Sequence, residues 1–159
     1  MPEENKKTRR KPGQEKDEIV GKVEYHKDVF SPILNNKRDI VVWLPIGYNP
    51  QRNPGKKYPV LYMHDGQNIM DPKTAYVGKD WRVDETVLRL IKQKKIKEII
   101  VVGIYNSPDR LDEYSWSEKG QNYLKFIITE LKPFIDSAYK TLPDKDTTAI
   151  MGSSMGGLI

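Results

Sequence analysis

The chain has 159 residues, a formal charge of +5, and a composition of 37% hydrophobic and 31% charged residues. This length and composition are expected of a soluble globular protein with one core. No apolar run approaches the ~20 residues that a membrane helix requires, so no membrane partner is expected. The chain contains no cysteine, which excludes disulfides, cysteine-ligated zinc and a cysteine nucleophile.

Residues 1–17 are predicted to form a disordered basic arm, because they are rich in charge, proline and glycine and have almost nothing to bury. The arm lacks the apolar core of a secretory signal, which favours a cytoplasmic location. Much of the positive charge lies in this arm. No nucleic-acid-binding motif or aromatic stacking array accompanies the charge, so nucleic acid is not an expected partner.

The rest of the chain, residues 18–159, alternates strand and helix patterns. An antiparallel pair of strands is predicted first, over 19–30 and 39–44, and a short buried strand follows at 60–63. Apolar residues then recur at helical spacing over 83–91. The next segment, 99–104, is a continuous β-branched run, which is typical of a parallel strand covered on both faces.

A loop is predicted from Asn106 to about Lys119, followed by a helical pattern over 124–138 in which Pro133 marks a kink or a restart. A last short strand, 147–151, leads into a glycine-rich turn. Strands that alternate with helices in this order predict an α/β fold with three layers and a mostly parallel sheet.

The turn after the last strand has the pattern G-x-S-x-G, formed by Gly152, Ser153, Ser154, Met155 and Gly156. Between a buried strand and the start of a helix, this pattern predicts a nucleophile elbow. The tightness of the turn predicts a positive φ at Ser154 and leaves no room for side chains at Gly152 and Gly156. The backbone amide of Met155 is expected to stabilise an oxyanion. The alternative is a glycine-rich turn that binds phosphate or only packs closely.

Several blocks of sequence, in order, resemble the esterase family of α/β hydrolases that includes enterochelin esterase, esterase D and the mycolyltransferases. The resemblance covers residue 20 to the end of the chain. It is carried by six segments, which are Tyr62–Asn68, Asp80–Glu85, Val101–Ile104, Leu111–Ser115, Glu130–Asp136 and Met151–Gly157. It implies an α/β-hydrolase fold, a small-molecule ester as substrate and no cofactor.

The resemblance also implies a second oxyanion donor, which in this family follows an Asp-Gly or Ser-Gly pair after the third strand. Here that position is Gln67, and Gly66 is expected to permit the turn that aims its amide. An ordinary loop signal is the alternative interpretation of Asp65 and Gly66.

Hydrolases of this fold supply an Asp or Glu and then a His after the serine in chain order. Only five residues follow Ser154, and the two histidines, His26 and His64, precede it. The chain is therefore interpreted as the N-terminal portion of an esterase domain, truncated after the elbow, whose acid and histidine lie in a missing C-terminal segment or a second chain. Packing or a local hydrogen bond is the expected role of His64.

Two other groups of residues carry less weight. The spacing of Asp65, Asp71, Asp80 and Asp84 matches no calcium loop, so no metal is expected. Four aromatic residues are candidates for the pocket wall, with core packing as the alternative: Trp81, Tyr105, Tyr114 and Trp116.

The function predicted from the sequence is hydrolysis of a carboxylic ester through an acyl-enzyme on Ser154. The chain alone is expected to be inactive or incomplete, because a serine hydroxyl needs a general base. The alternative is a non-catalytic α/β-hydrolase fragment that acts as a binding module.

Overall fold

The computed structural model describes residues 19–159, and the predicted basic arm lies outside the described residues. Its five strands form one sheet in the order β1-β2-β4-β3-β5. They span Lys22–Ser31 (β1), Asn36–Leu44 (β2), Val60–His64 (β3), Ile100–Ile104 (β4) and Thr148–Met151 (β5).

The described strands are mostly parallel. β1 pairs with β2 and β2 with β4 in antiparallel register, whereas β3 pairs with β4 and with β5 in parallel register. Among these five strands, only β2 therefore runs against the others. The predicted antiparallel pair at the start of the chain is confirmed.

Four helices pack on this sheet. They are α1 (Val83–Lys92), α2 (Arg110–Glu113), α3 (Glu118–Phe126) and α4 (Lys132–Ala138), and a π-helical turn at Ile127–Leu131 joins α3 to α4. Short 3-10 turns occur at Gly66–Asn68, Lys145–Thr147 and Ser154–Gly157. None of the helices in residues 19–159 has the length and apolar character needed to cross a bilayer.

Both faces of the central strands β2, β3 and β4 are buried, as their apolar runs predicted. Side chains of a strand alternate between its two faces, so Ile40, Val42 and Leu44 enter one core and Val41 and Trp43 enter the other. The first core also receives side chains from α3 and α4, which are Tyr123, Phe126 and Ile135. The second receives Val87 from α1, together with Ile69 and Met70. This is the predicted three-layer arrangement.

The prediction for residues 106–138 needs two corrections. The expected loop contains α2, and α3 begins at Glu118, before the first residue of the predicted helix. Ser117 caps α3 by accepting a hydrogen bond from the amide of Gly120 over 3.1 Å, so the helix starts within a polar segment that lacks apolar periodicity. Pro133 lies in the first turn of α4, directly after the π-helical turn, which agrees with the predicted kink or restart.

Candidate active site

The turn after β5 has the backbone predicted for a nucleophile elbow. Ser154 has a φ of 56°, in the left-handed region, and begins the 3-10 turn Ser154–Gly157. This conformation is unfavourable for a residue with a side chain and persists where the surrounding structure imposes it. The predicted positive φ at Ser154 is confirmed.

The two glycines of the motif leave no room for a side chain. A Cβ atom on Gly152 would lie 1.9 Å from the carbonyl oxygen of Gly156, and one on Gly156 would lie 3.1 Å from Cβ of His64. The first distance is a collision with backbone, and the second is a tight contact with a buried side chain. The elbow is therefore packed directly against the end of β3.

The loop after β3 forms the other wall of the site. The left-handed residue of this turn is Asp65, with a φ of 56°, and not Gly66. Gly66 is required for another reason, because a Cβ atom there would lie 2.4 Å from the carbonyl carbon of Gly103 in β4. From the sequence alone, a glycine required by the close approach of a neighbouring strand cannot be distinguished from a glycine required by a turn.

Hydrogen bonds hold Gln67 at both ends. Its side-chain oxygen accepts from the amide of Asn106 over 3.2 Å, and its carbonyl oxygen accepts from the hydroxyl of Thr74 over 2.7 Å. Within residues 19–159, the backbone amides of Gln67 and Met155 donate no hydrogen bond to another residue. Convergence of the two amides on a single oxygen stays a prediction.

A cavity of about 550 Å³ lies between the two turns, within the size range of small-molecule sites. Both serines of the elbow and Gln67 line it. The remaining lining residues belong to the loops after β3 and β4, and they are Asp65, Asn68, Thr74, Tyr76, Trp81, Asn106, Ser107 and Arg110.

A partly buried ion pair joins the two loops that follow β3 and β4. Arg110 donates to both oxygens of Asp65, from Nε over 2.7 Å and from Nη2 over 2.8 Å, and Asn106 donates to Asp65 Oδ1 over 2.7 Å. Burial by itself would raise the pKa of Asp65, but the hydrogen bonds from Arg110 and Asn106 outweigh it and hold that pKa below its usual value. Asp65 is therefore a fixed carboxylate beneath the cavity.

His64 lies under the elbow in a buried aromatic cluster. Its Nδ1 lies 2.8 Å from the hydroxyl of Tyr123, and its ring contacts the edge of Tyr114. Burial lowers its pKa to about 4, so the ring is neutral at physiological pH. The expected packing and hydrogen-bonding role of His64 is confirmed.

The candidate aromatic residues separate into different environments. Trp81 lines the cavity, and so does Tyr76, which the sequence reasoning missed because an exposed tyrosine in a loop carries no periodic signal. Tyr114 is buried in the core, Tyr105 packs against the second core, and the side chain of Trp116 is exposed. Among the acidic residues, Asp65 pairs with Arg110 and Asp71 caps its own turn through the amide of Lys73. Asp80 and Asp84 lie together at the start of α1.

A three-layer α/β sheet with a strained serine at a strand-to-helix turn defines an α/β-hydrolase fold. Solved structures support the same class, including an IroE-like serine hydrolase from Shewanella oneidensis. It matches with a TM-score of 0.67 and 24% identity over 86% of this chain and 44% of that one. The chain belongs to the family described as "Putative esterase", whose family model matches residues 31–159.

Two relatives with higher sequence identity have esterase in their names. One is an endo-1,4-beta-xylanase/feruloyl esterase from Xylanibacter ruminicola, 32% identical over 74% of this chain and 16% of the relative. The other is the solved structure of a ferulic acid esterase, with a TM-score of 0.60 and 32% identity over 85% of this chain and 51% of that one. The chain thus spans about half the length of the solved esterase and a smaller share of the xylanase/feruloyl esterase.

Proposed function

We propose that the protein is a serine esterase that hydrolyses a carboxylic ester through an acyl-enzyme on Ser154. The observation that carries the proposal is the left-handed Ser154 at the end of β5, on the wall of a cavity that it shares with Gln67. Family membership supports ester hydrolysis as the reaction. Residues 18–159 form the N-terminal portion of the esterase domain in this proposal, and no cofactor takes part.

The chemistry follows from the groups around the serine. Oγ of Ser154 attacks the ester carbonyl carbon, and the carbonyl oxygen takes up the negative charge as its π bond opens. The amides of Gln67 and Met155, which have no acceptor among the described residues, donate to that oxygen. Collapse of the intermediate expels the alcohol, and water then releases the acid from Ser154.

We propose that the general base and its orienting carboxylate come from sequence outside this chain. Of its two histidines, His64 is buried and engaged with Tyr123, and His26 lies on β1 with its Nε2 2.6 Å from the hydroxyl of Tyr139. The match with the solved ferulic acid esterase covers only 51% of that chain, and hydrolases of this fold place the acid and histidine after the serine. A C-terminal segment or a second chain would supply both.

We propose an aromatic acyl ester, such as a ferulate, as the substrate class. The two esterase relatives at 32% identity carry feruloyl or ferulic acid in their names. Trp81 and Tyr76 line the cavity and offer flat apolar faces on which a phenyl ring can stack. The acyl group would then lie between these rings and the elbow.

The test uses the neighbouring serine as a matched control. In a protein that contains the proposed C-terminal segment, Ser154→Ala should lower hydrolysis of methyl ferulate by at least about 10⁴-fold, because the attacking oxygen is lost. Ser153→Ala should retain most activity, since Ser153 has an extended backbone with a φ of −120° and is not the strained residue. Covalent labelling by a fluorophosphonate should add mass to the peptide that contains Ser154 and disappear in Ser154→Ala. Equal activity losses in the two variants would refute the proposal.

A further inference from the structure

Three carboxylates meet at the start of α1, away from the proposed catalytic groups. Asp80, Asp84 and Glu85 each offer one oxygen, and these oxygens lie within 4.8 Å of one another. Asp84 is only 1% exposed. Such close carboxylates repel one another unless positive charge or a proton offsets their charge, and the Arg82 guanidinium, paired with Glu85 over 3.1 Å, offsets one of the three.

Protein donors account for one oxygen of each carboxylate. The amide of Val20 donates to Asp84 Oδ2 over 2.8 Å, the amide of Arg82 donates to Asp80 Oδ2 over 2.8 Å, and Nε of Arg82 donates to Glu85 Oε1 over 3.1 Å. The second oxygens of Asp84 and Glu85 have no such donor within the described part of the chain. Asp84 Oδ1 and Glu85 Oε2 are buried and have no hydrogen-bond partner among the described residues.

The position on α1 explains part of this arrangement. Asp84 and Glu85 lie in the first turn of α1, where the helix dipole and free amides favour negative charge. That effect stabilises the negative charge of both side chains. It supplies no donor to Asp84 Oδ1 or Glu85 Oε2, and a buried acceptor without a donor is destabilising.

We propose that Asp80, Asp84 and Glu85 bind one divalent cation, and that calcium fits the site best. All three ligands are carboxylate oxygens, which hard cations prefer. Calcium accepts irregular sets of oxygen ligands at about 2.3–2.6 Å, whereas magnesium demands near-ideal octahedral geometry at about 2.0–2.1 Å. The three carboxylate oxygens lie within 4.8 Å of one another, close enough to share one ion. Water would complete the coordination shell.

The cation would tie together three parts of the chain. Asp84 already holds Val20 before β1, Glu85 lies in α1, and Asp80 precedes Trp81 on the cavity wall. The amide of Trp81 is itself fixed to the carbonyl oxygen of Asn68 over 2.7 Å. Calcium would therefore stabilise the fold and fix the position of Trp81.

Calcium binding can be measured directly on the chelator-treated chain. Calcium should raise Tm by roughly 5–10 °C at about 100 times its Kd, and magnesium should have a smaller effect. Terbium, a luminescent substitute for calcium, should emit on excitation of tryptophan, and calcium should displace it. Trp81→Phe should lose most of this emission and keep its calcium affinity, because Trp81 adjoins the ligands without contributing an oxygen.

Variants locate the ligands and separate binding from folding. Asp84→Asn should weaken calcium binding at least about tenfold, yet its metal-free Tm should equal or exceed that of the parent, since the amide can donate where Asp84 Oδ1 has no partner. Glu85→Gln should behave in the same way. Asp146→Asn, at an exposed position, is the matched control and should bind calcium normally. If the parent gains no stability from calcium, or if the terbium emission survives both Asp84→Asn and Glu85→Gln, the carboxylates share a proton instead and the proposal is overturned.

Discussion

At the scale of single residues, His64 has a structural role beneath the elbow, in packing and in hydrogen bonding. Its ring is 2% exposed, lies beside both glycines of the elbow and shares a hydrogen bond with Tyr123. The neutral ring is part of the floor on which the elbow rests. Protonation would place a positive charge in that floor, where the hydrogen-bond partner of the ring is the neutral hydroxyl of Tyr123.

The low pKa of His64 makes the fold sensitive to acid. The unfolded chain binds the proton near the ordinary value of 6.5 and the folded chain only near pH 4. Between these values the unfolded state holds more protons, so stability falls as the pH falls, by up to about 3 kcal/mol in total. Urea unfolding between pH 7 and pH 4 should show this slope. His64→Gln should flatten it, and an unchanged slope in that variant would show that other groups cause the acid sensitivity.

Residue-level prediction succeeded where a motif dictates backbone geometry and failed where it does not. The positive φ of Ser154 followed from the tightness of G-x-S-x-G. The close approach of β4 to Gly66 was not predicted, because nothing local in the sequence reveals it. The left-handed conformation of Asp65 was also not predicted, and its buried carboxylate is held by Arg110 and Asn106.

At the scale of elements, the loops after β3 and β4 behave as one unit. Arg110 crosses to Asp65, and the amide of Asn106 holds the side chain of Gln67. Both contacts lie on the cavity wall. The loop at 106–110 therefore fixes the residue proposed to donate to the oxyanion.

Removal of Arg110 tests this coupling through stability. Arg110→Met should cost about 2–4 kcal/mol in the free energy of unfolding, because it leaves the buried carboxylate of Asp65 without its ion-pair partner. Adding Asp65→Asn should recover part of this loss, since the uncompensated charge is then gone. Chemical denaturation of the two single variants and the double variant measures the coupling.

An exposed ion pair provides the control for this cycle. Lys119 pairs with Asp109 over 2.7 Å, with side chains 39% and 49% exposed, so Lys119→Met should change the free energy of unfolding much less than Arg110→Met does. Strict additivity of the Arg110 and Asp65 substitutions would show that the two loops are not coupled by this pair.

The elements themselves were largely predictable from the sequence. Continuous apolar runs located β2, β3 and β4, and helical spacing located α1 and the second half of the α3–α4 segment. The start of α3 was missed because Glu118, Lys119 and Asn122 present a polar pattern there. Pairing of Asp65 with Arg110 was also missed, because nothing local in the sequence relates residues 45 positions apart.

At the scale of the whole molecule, β5 lies at the edge of the described sheet and carries an exposed apolar surface. Ile150 is 52% exposed and Met151 is 55% exposed. An apolar cavity of about 230 Å³ lies beside it, between β5 and the α3–α4 segment, and Ile150 and Ile128 are among its lining residues. Exposed apolar edges favour pairing with a further strand. We propose that the segment with the catalytic acid and histidine covers it.

The last prediction concerns activity, because nucleophile and base are proposed to lie on different segments. The 159-residue chain alone should hydrolyse methyl ferulate at least about 10³-fold more slowly than a protein that also contains the proposed C-terminal segment, since a serine without its base stays protonated. Adding the C-terminal segment of the longer protein, in cis or as a separate chain, should restore turnover. The restored kcat/KM should rise with pH through roughly 6–7, because only a neutral imidazole accepts the serine proton.

His64 provides the control that separates this explanation from an internal base. With its pKa near 4, His64 is already neutral across the range in which the restored activity should rise, so it cannot generate that pH dependence. Its ring is also buried and bonded to Tyr123, away from bulk solvent. Strong turnover by the chain alone, lost on His64→Gln while the variant remains folded, would show that an upstream histidine completes the site. Loss of the restored turnover on Ser154→Ala, with His64→Gln retaining most of it, would place the base in the added segment.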